Sequence, residues 1–297
     1  MSEIMVQADN LVKIYKTKDI EVVALQGFDL IVHEQEFMAI IGNSGSGKST
    51  FLNMLGGLDR PSAGKLFVDG KNLFTMTDKE LVKYKCSTVG FVWQNNARNL
   101  LPYLSAIENI MVPMNFTSTK KKKERALELL DLVGLSHKKK NRLYELSGGE
   151  QQRIAIAIAL ANSPKVLLAD EPTGSVDSKT SNFIFDLFRK LNEDYKQTII
   201  IVTHDVALSK KVQRVAAIRD GKVSSEKILK ENYSERLKEV GASGLEFSRD
   251  ADTQEEYAIV DRTGRLQVPR EMLGAIGVQD NKVKLEVVDG KIIIEKP

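Results

Sequence analysis

The chain of 297 residues has a single cysteine, Cys86, so no disulfide can form within it. That excludes a small disulfide-stapled scaffold and fits a reducing compartment. Cys86 itself is expected to be a buried structural thiol. The N-terminus, Met1-Ser-Glu-Ile-Met-Val6, has neither a charged leader region nor a long apolar core, so no secretion signal is read there. No apolar run approaches the length of a membrane span. The chain is therefore expected to be soluble by itself, with any membrane role arising through a partner. Neither sign of charge is in large excess: 43 basic against 40 acidic residues leave +3, and this is not the footprint of a dedicated nucleic-acid binder. Internal repeats and low-complexity tracts are also missing. What is present is an apolar content of 42%, enough for a sizeable core, in a length that suits one large domain or one domain and a small appendage.

The most informative stretch runs from Phe37 to Thr50. Met38 to Ile41 is an apolar run that reads as a buried strand. Gly42-Asn43-Ser44-Gly45-Ser46-Gly47-Lys48-Ser49 then fits the G-x-x-x-x-G-K-[ST] spacing of a phosphate-binding loop, and Thr50 to Leu55 can continue as a helix. The chemistry needs this order. Glycines let the backbone fold tightly so that several N–H groups face one anion, and the helix start adds its positive dipole end. Lys48 can reach the β- and γ-phosphates, and Ser49 can ligate Mg²⁺.

Met5–Val12 and Val22–Val32 read as strands before the loop, with Tyr15 between them as an aromatic able to stack on a purine base. Gly64–Gly70 and Thr88–Trp93 read as further short strands. Leu100–Arg142 reads as helical, interrupted by Pro102 and Pro113, and carries two basic runs, Lys120–Lys123 and Lys138–Lys140. Such runs are solvated helix faces in most proteins, and an attraction to an anionic membrane surface is the alternative. Lys165-Val-Leu-Leu-Ala-Asp-Glu171 is a buried strand ending in two carboxylates, and Thr198–Asp205 is another that ends at His204. Alternation of apolar strands with helices indicates a parallel α/β sheet, whose ligands bind at the carboxyl ends of the strands. Lys48, Asp170, Glu171 and His204 fall at or just past such ends.

In this order the motifs resemble those of the nucleotide-binding domain of ABC transporters, from about residue 4 to about residue 224. Tyr15 corresponds to the A-loop aromatic, Gly42–Ser49 with Thr50 to the phosphate loop, and Gln94 to the Q-loop. Leu146-Ser147-Gly148-Gly149-Glu150 corresponds to the signature, Asp170 and Glu171 to Walker B, Ser175-Val176-Asp177 to the D-loop, and His204 to the switch histidine. The resemblance implies a P-loop NTPase α/β fold of ABC ATPase type: a mostly parallel sheet core, an antiparallel β subdomain and an α-helical subdomain. It implies an ATPase using ATP and Mg²⁺. Glu171 polarises the attacking water, His204 and Gln94 help to place it, and Ser49, Gln94 and Asp170 serve the metal. Ser147 and Gly149 act in trans on the partner's ATP, so a head-to-tail homodimer is implied, coupled to a separate integral-membrane permease at the cytoplasmic face of the plasma membrane. Gly56-Gly-Leu-Asp-Arg-Pro61, Gly90-Phe-Val-Trp-Gln94, Leu101-Pro102 and Glu108-Asn109 resemble the MacB, LolD and FtsE branch. Asn95-Asn-Ala-Arg-Asn99 departs from that branch by its length, in the segment where the family touches its permease.

After Val223 the texture changes. Ser224–Gly244 is charged and reads as helical, and Leu245–Glu256 as an acidic linker. From Tyr257 apolar residues return as strand, strand, short helix, strand, Asp289-Gly290 turn and strand. Residues Val260–Gly277 resemble the AbrB/MazE swapped-hairpin domain, which implies a small β-rich dimerisation domain. The expected division is 1–228 for the ATPase domain, 229–256 for the helical segment and linker, and 257–297 for the appendage. Basic and acidic residues nearly cancel in that appendage, so DNA is not the expected partner. The competing readings are a soluble ABC ATPase with a regulatory or DNA-binding role through the tail, a translation ATPase, and a chromosome-structure ATPase. The last two need a second motif set or a long coiled-coil insertion, and the sequence holds neither.

Overall fold

The computed structural model describes residues 3–17, 20–94, 100–117, 119–205, 211–229 and 254–296, apart from 261–263, 265, 267, 269, 279–282 and 289. The principal sheet is built on three mainly apolar strands, β3 (Phe37–Ile41), β7 (Val166–Asp170) and β8 (Thr198–Val202). Nearly every side chain in them is buried, because both faces of the sheet are covered; this is why their sequences run apolar without alternation. β6 (Val89–Val92) and β9 (Arg214–Arg219) extend the parallel set to the order β9-β3-β8-β7-β6. β10 (Lys222–Leu229) and β11 (Gln254–Ala258) then add antiparallel strands beyond β9.

A second, antiparallel sheet of order β2-β1-β4-β5 is formed by β1 (Ile4–Lys16), β2 (Glu21–His33), β4 (Ala63–Val68) and β5 (Lys71–Asn72). Its apolar face, with Val6, Leu11, Phe28 and Leu66, packs with Phe51 and Leu52 of α1 (Lys48–Leu55) against one side of the principal sheet. Met38, Ile40, Ile200 and Val202 belong to that core, whereas Ala39, Ile199 and Ile201 belong to the other. The other core is closed by α3 (Ala106–Met111), α4 (Lys122–Leu132), α5 (Gly148–Ala159) and α6 (Ser178–Tyr195). The period-two alternation along β8 thus divides one apolar run between two cores. α2 (Asp78–Ser87) precedes β6 and starts in a capping box, in which Thr77 Oγ1 accepts from Glu80 N while Thr77 N donates to the Glu80 carboxylate.

Four expectations need correction. Ser224–Leu229 is strand rather than helix, because β9 and β11 supply ladder partners on both sides and pairing overrides local charge; the rest of that stretch, 230–253, lies outside the described residues. Gln254–Glu256, read as the end of the linker, pairs with β10. Tyr15 lies within β1, not between strands. Cys86 is half-buried, not buried. In the tail, an isolated bridge joins Val260 to Leu266, α7 (Arg270–Ala275) follows, and β12 (Lys284–Val288) with β13 (Lys291–Glu295) forms a hairpin.

Candidate active site

The phosphate loop leaves β3 at Gly42 and enters α1 at Gly47, whose φ of 104° is open to glycine and strained for other residues. A Cβ on Gly47 would stand 2.6 Å from the Ala24 carbonyl of β2, so this glycine also lets the loop lie directly on the antiparallel sheet. Lys48 is nearly buried and folds back over the loop, its Nζ donating to the carbonyls of Gly42 at 2.7 Å and Asn43 at 2.9 Å. Burial pushes the Lys48 ammonium below its ordinary range, while Glu171 and Asp170 pull it back up. The ammonium therefore faces two carboxylates across the loop mouth.

Those carboxylates come from the end of β7. Ser49 Oγ, at the first turn of α1, donates to Asp170 Oδ1 at 3.2 Å. Glu171 follows with φ of 46°, a left-handed conformation costing about 1–3 kcal/mol for a non-glycine residue. It is held there by Glu171 N donating to Val202 O at 2.9 Å and by Gly174 N donating to Glu171 O at 3.0 Å. The turn re-aims the carboxylate toward β8, where His204 Nδ1 and Glu171 Oε2 are 2.8 Å apart. Glu171 is largely enclosed, whereas His204 is 71% exposed on its side chain. Gln94 joins the same group: a Cβ on Gly174 would stand 3.7 Å from Gln94 Nε2. The ends of β3, β6, β7 and β8 thus bring Lys48, Ser49, Gln94, Asp170, Glu171 and His204 to one edge of the parallel sheet, as the strand order requires.

The loop fits a polyphosphate by one further observation: Ser46 Oγ is buried and has no hydrogen-bond partner among the described residues, although buried hydroxyls are almost always paired. Ser49 and Asp170 form an oxygen-only donor pair of the kind Mg²⁺ prefers.

Tyr15 reaches the same helix from the antiparallel sheet. Its hydroxyl donates at 2.7 Å to Oδ2 of Asp59, in the loop that follows α1. The signature residues form a separate group. Ser147 caps α5 in a box with Glu150, and Glu150 is 3.6 Å from Lys138. Asp177 caps α6 by accepting from Thr180 N at 3.0 Å. These two caps meet at Gly149, where a Cβ would stand 2.7 Å from Thr180 Cγ2. Sequence reasoning missed Lys13 and Asp59, which surround Tyr15. The signal for Asp59 was its place in Gly56–Pro61; Lys13 gave none, being one of several polar residues along β1.

Residues 25–174 match the family described as "ABC transporter". The lipoprotein-releasing system ATP-binding protein LolD 1 of Chlorobium chlorochromatii is 42% identical, over 73% of this chain and 89% of that protein. The macrolide export ATP-binding/permease protein MacB of Syntrophobacter fumaroxidans is also 42% identical, over 75% of this chain but only 31% of that longer protein. Among solved structures, a dimer of the Methanocaldococcus jannaschii cassette MJ0796, in a post-hydrolysis state bound to ADP and Pi, superposes with a TM-score of 0.71 at 40% identity. It covers 76% of this chain and 99% of that one.

Proposed function

Since the chain belongs to the family of ABC transporter ATP-binding proteins, we propose that it powers a separate membrane permease of the MacB or LolD kind from the cytoplasmic face of the membrane. The observation that carries this reading is the Glu171–His204 pair at 2.8 Å beside the Ser49–Asp170 pair at 3.2 Å. In this reading Gly42–Thr50 cradles the triphosphate and Lys48 turns from the loop carbonyls to the β- and γ-phosphates. Ser49, Asp170 and Gln94 would hold Mg²⁺, which would supply charge neutralisation for the phosphate oxygens. Glu171 accepts a hydrogen bond from the attacking water, and His204 steadies the Glu171 carboxylate while reaching toward the γ-phosphate. Ser147, Gly148, Gly149, Glu150 and Asp177 complete the partner's site in a head-to-tail dimer; that the similar cassette is itself dimeric supports this reading.

The permease docks on residues 94–110. Support comes from Leu101 at 37% and Tyr103 at 67% exposure, apolar groups presented just after Gln94; residues 95–99 lie outside the described region. Cysteines placed at Leu101 and Tyr103 are expected to cross-link a polytopic membrane protein in membranes containing the full chain. Cross-links arising only from elsewhere on the surface would refute the docking face.

The tail is read as a swapped-hairpin domain that clamps two subunits together. Val287 and Ile292 are cross-strand partners, as are Leu285 and Ile294. Leu285, Val287 and Ile292 are 63%, 76% and 74% exposed, so one face of the hairpin is apolar and open. A lone two-stranded hairpin is marginal in water, and a second copy of the same face supplies the missing cover.

A further inference from the structure

Asp59 belongs to the loop that follows α1, and nothing in the phosphate chemistry uses it. Its carboxylate is nevertheless the centre of a tight cluster. Lys13 Nζ donates to Asp59 Oδ1 at 2.5 Å and to the Arg60 carbonyl at 2.9 Å. Tyr15 donates to Asp59 Oδ2 at 2.7 Å, and Arg60 N donates to Asp59 Oδ1 at 2.8 Å. The loop is itself fixed: the Arg60 guanidinium reaches the Met76 carbonyl at 2.8 Å and Asp78 at 2.9 Å. Ser62 Oγ accepts from Ile14 N at 3.0 Å, which ties the end of β1 to the same loop. Lys13 is 9% exposed, and its ammonium lies 4.7 Å from the centre of the Tyr15 ring, over one face.

Two consequences follow for Tyr15. Its one hydroxyl proton is committed to Asp59, and burial first, then the Asp59 hydrogen bond, raises its pKa so that the proton stays on. One ring face is covered by Lys13, so the other is left for a base. Stacking on an aromatic ring accepts any base, because every base has a π-face, whereas discrimination needs a donor or acceptor aimed at a base edge.

We infer that Lys13 and Asp59 are positioning residues that hold Tyr15 as a one-faced stacking platform for the base of the nucleotide, with little preference between adenine and guanine. This rests on Tyr15 being the base platform of the site proposed above. The cluster also couples that platform to the phosphate loop, because Asp59 follows the helix that Lys48 opens.

The test is equilibrium titration of the full chain with ATP and with GTP, alongside steady-state hydrolysis, for wild type, Lys13→Met, Lys13→Arg, Asp59→Asn and Tyr15→Ala. In the wild type, the ATP and GTP dissociation constants are expected to differ by less than about tenfold, since stacking alone is sequence-tolerant. Lys13→Met and Asp59→Asn are each expected to weaken both nucleotides together by about 3- to 10-fold, a fraction of the stacking energy. KM rises in step while kcat at saturation is kept, and Lys13→Arg restores the wild-type values because it keeps the cation over the ring. A merely structural defect would lower kcat and thermal stability without this split. Unchanged affinities in Lys13→Met and Asp59→Asn, with Tyr15→Ala impaired, would overturn the positioning role alone. An unimpaired Tyr15→Ala would overturn the base platform itself, and a preference for ATP over GTP above a hundredfold would overturn the base tolerance.

Discussion

The edge of the parallel sheet and the C-terminal tail are opposite solutions to burial. At the sheet edge, polar residues are set on strands whose own side chains are buried on both faces, so Lys48, Asp170 and Glu171 stand on a rigid base. In the tail the apolar residues are the exposed ones: Val260, Met272, Leu285, Val287 and Ile292 are all more than half exposed. The first region is complete within one chain as a fold, and in the proposed reading a partner serves only its chemistry. The described residues of the second show no buried apolar core, as expected of a segment this short, and in the proposed reading a partner supplies its stability. Strand β11 joins the two, since it runs from the end of the linker into the tail by sequence but lengthens the principal sheet by pairing with β10.

The largest expected effect sharpens the first half of that contrast. Glu171→Gln keeps the shape of the site and should leave nucleotide binding in place while slowing phosphate release by about 10²–10⁴-fold, the usual cost of losing a catalytic base. Lys48→Ala should weaken binding itself. Steady-state phosphate release by Glu171→Gln near the wild-type rate would remove Glu171 from its role.

The tail half breaks more simply. Without nucleotide the full chain should sediment as a dimer, and the double substitution Val287→Glu with Ile292→Glu should sediment as a monomer. Two charges would then face two more across the buried contact. Because both side chains are exposed in one chain, the thermal unfolding of the ATPase domain should be unmoved, while the tail loses the cover of its partner. A wild type that is already monomeric would sink the clamp.

These two regions also differ in how legible they were. The apolar runs at β3, β7 and β8 could be read directly, because burial on both faces removes every polar interruption, and the site residues sit at their ends by topology. Strand β10 could not: Lys222-Val-Ser-Ser-Glu-Lys-Ile-Leu229 carries three charges, and it is a strand because β9 and β11 flank it. Helix α2 went unread although Thr77 caps it, because only Tyr84 along it is buried and a cap signals a start only when an apolar period follows; α6 was legible, since Ile184, Phe185, Leu187, Phe188 and Leu191 follow the Asp177 cap at helical spacing, and it was missed. The Lys13–Asp59 cluster joins residues far apart in sequence, and no local pattern marks such a pair.

A third prediction asks whether the principal sheet depends on charge where it changes from parallel to antiparallel. Arg214 of β9 donates to Glu226 at 2.5 and 3.0 Å, to Glu36 at 3.0 Å and to the Ile31 carbonyl at 2.8 Å, with all three charged side chains at most 16% exposed. Arg214→Met would leave two carboxylates facing each other. The expected cost is about 3 kcal/mol, the low end for breaking a buried pair, measured by denaturant unfolding. The neutral pair Glu36→Gln with Glu226→Gln in the same background should recover part of it, and no recovery would point to lost packing of the guanidinium stem.

The smallest effect concerns the turn between β4 and β5. Asp69 accepts from Lys71 at 2.8 Å and from Lys165 at 2.5 Å, so this one carboxylate ties the antiparallel sheet to the residue that precedes β7. Burial alone would raise the Asp69 pKa, but the hydrogen bonds from Lys165 and Lys71 outweigh it and hold the carboxyl below its ordinary range. A group whose folded pKa is depressed adds stability above its unfolded pKa and loses it as pH falls through the folded value. Both lysines are about half exposed, so the pair should contribute no more than about 1 kcal/mol. The difference in unfolding free energy between wild type and Asp69→Asn should therefore be constant from neutral pH down to about pH 5, then shrink toward zero below about pH 4. It should also shrink with added salt, because the lysines are open to screening. A difference that persists unchanged into acid would mean that the neutral hydrogen bonds of the turn, and not the carboxylate charge, hold the two sheets together at this point.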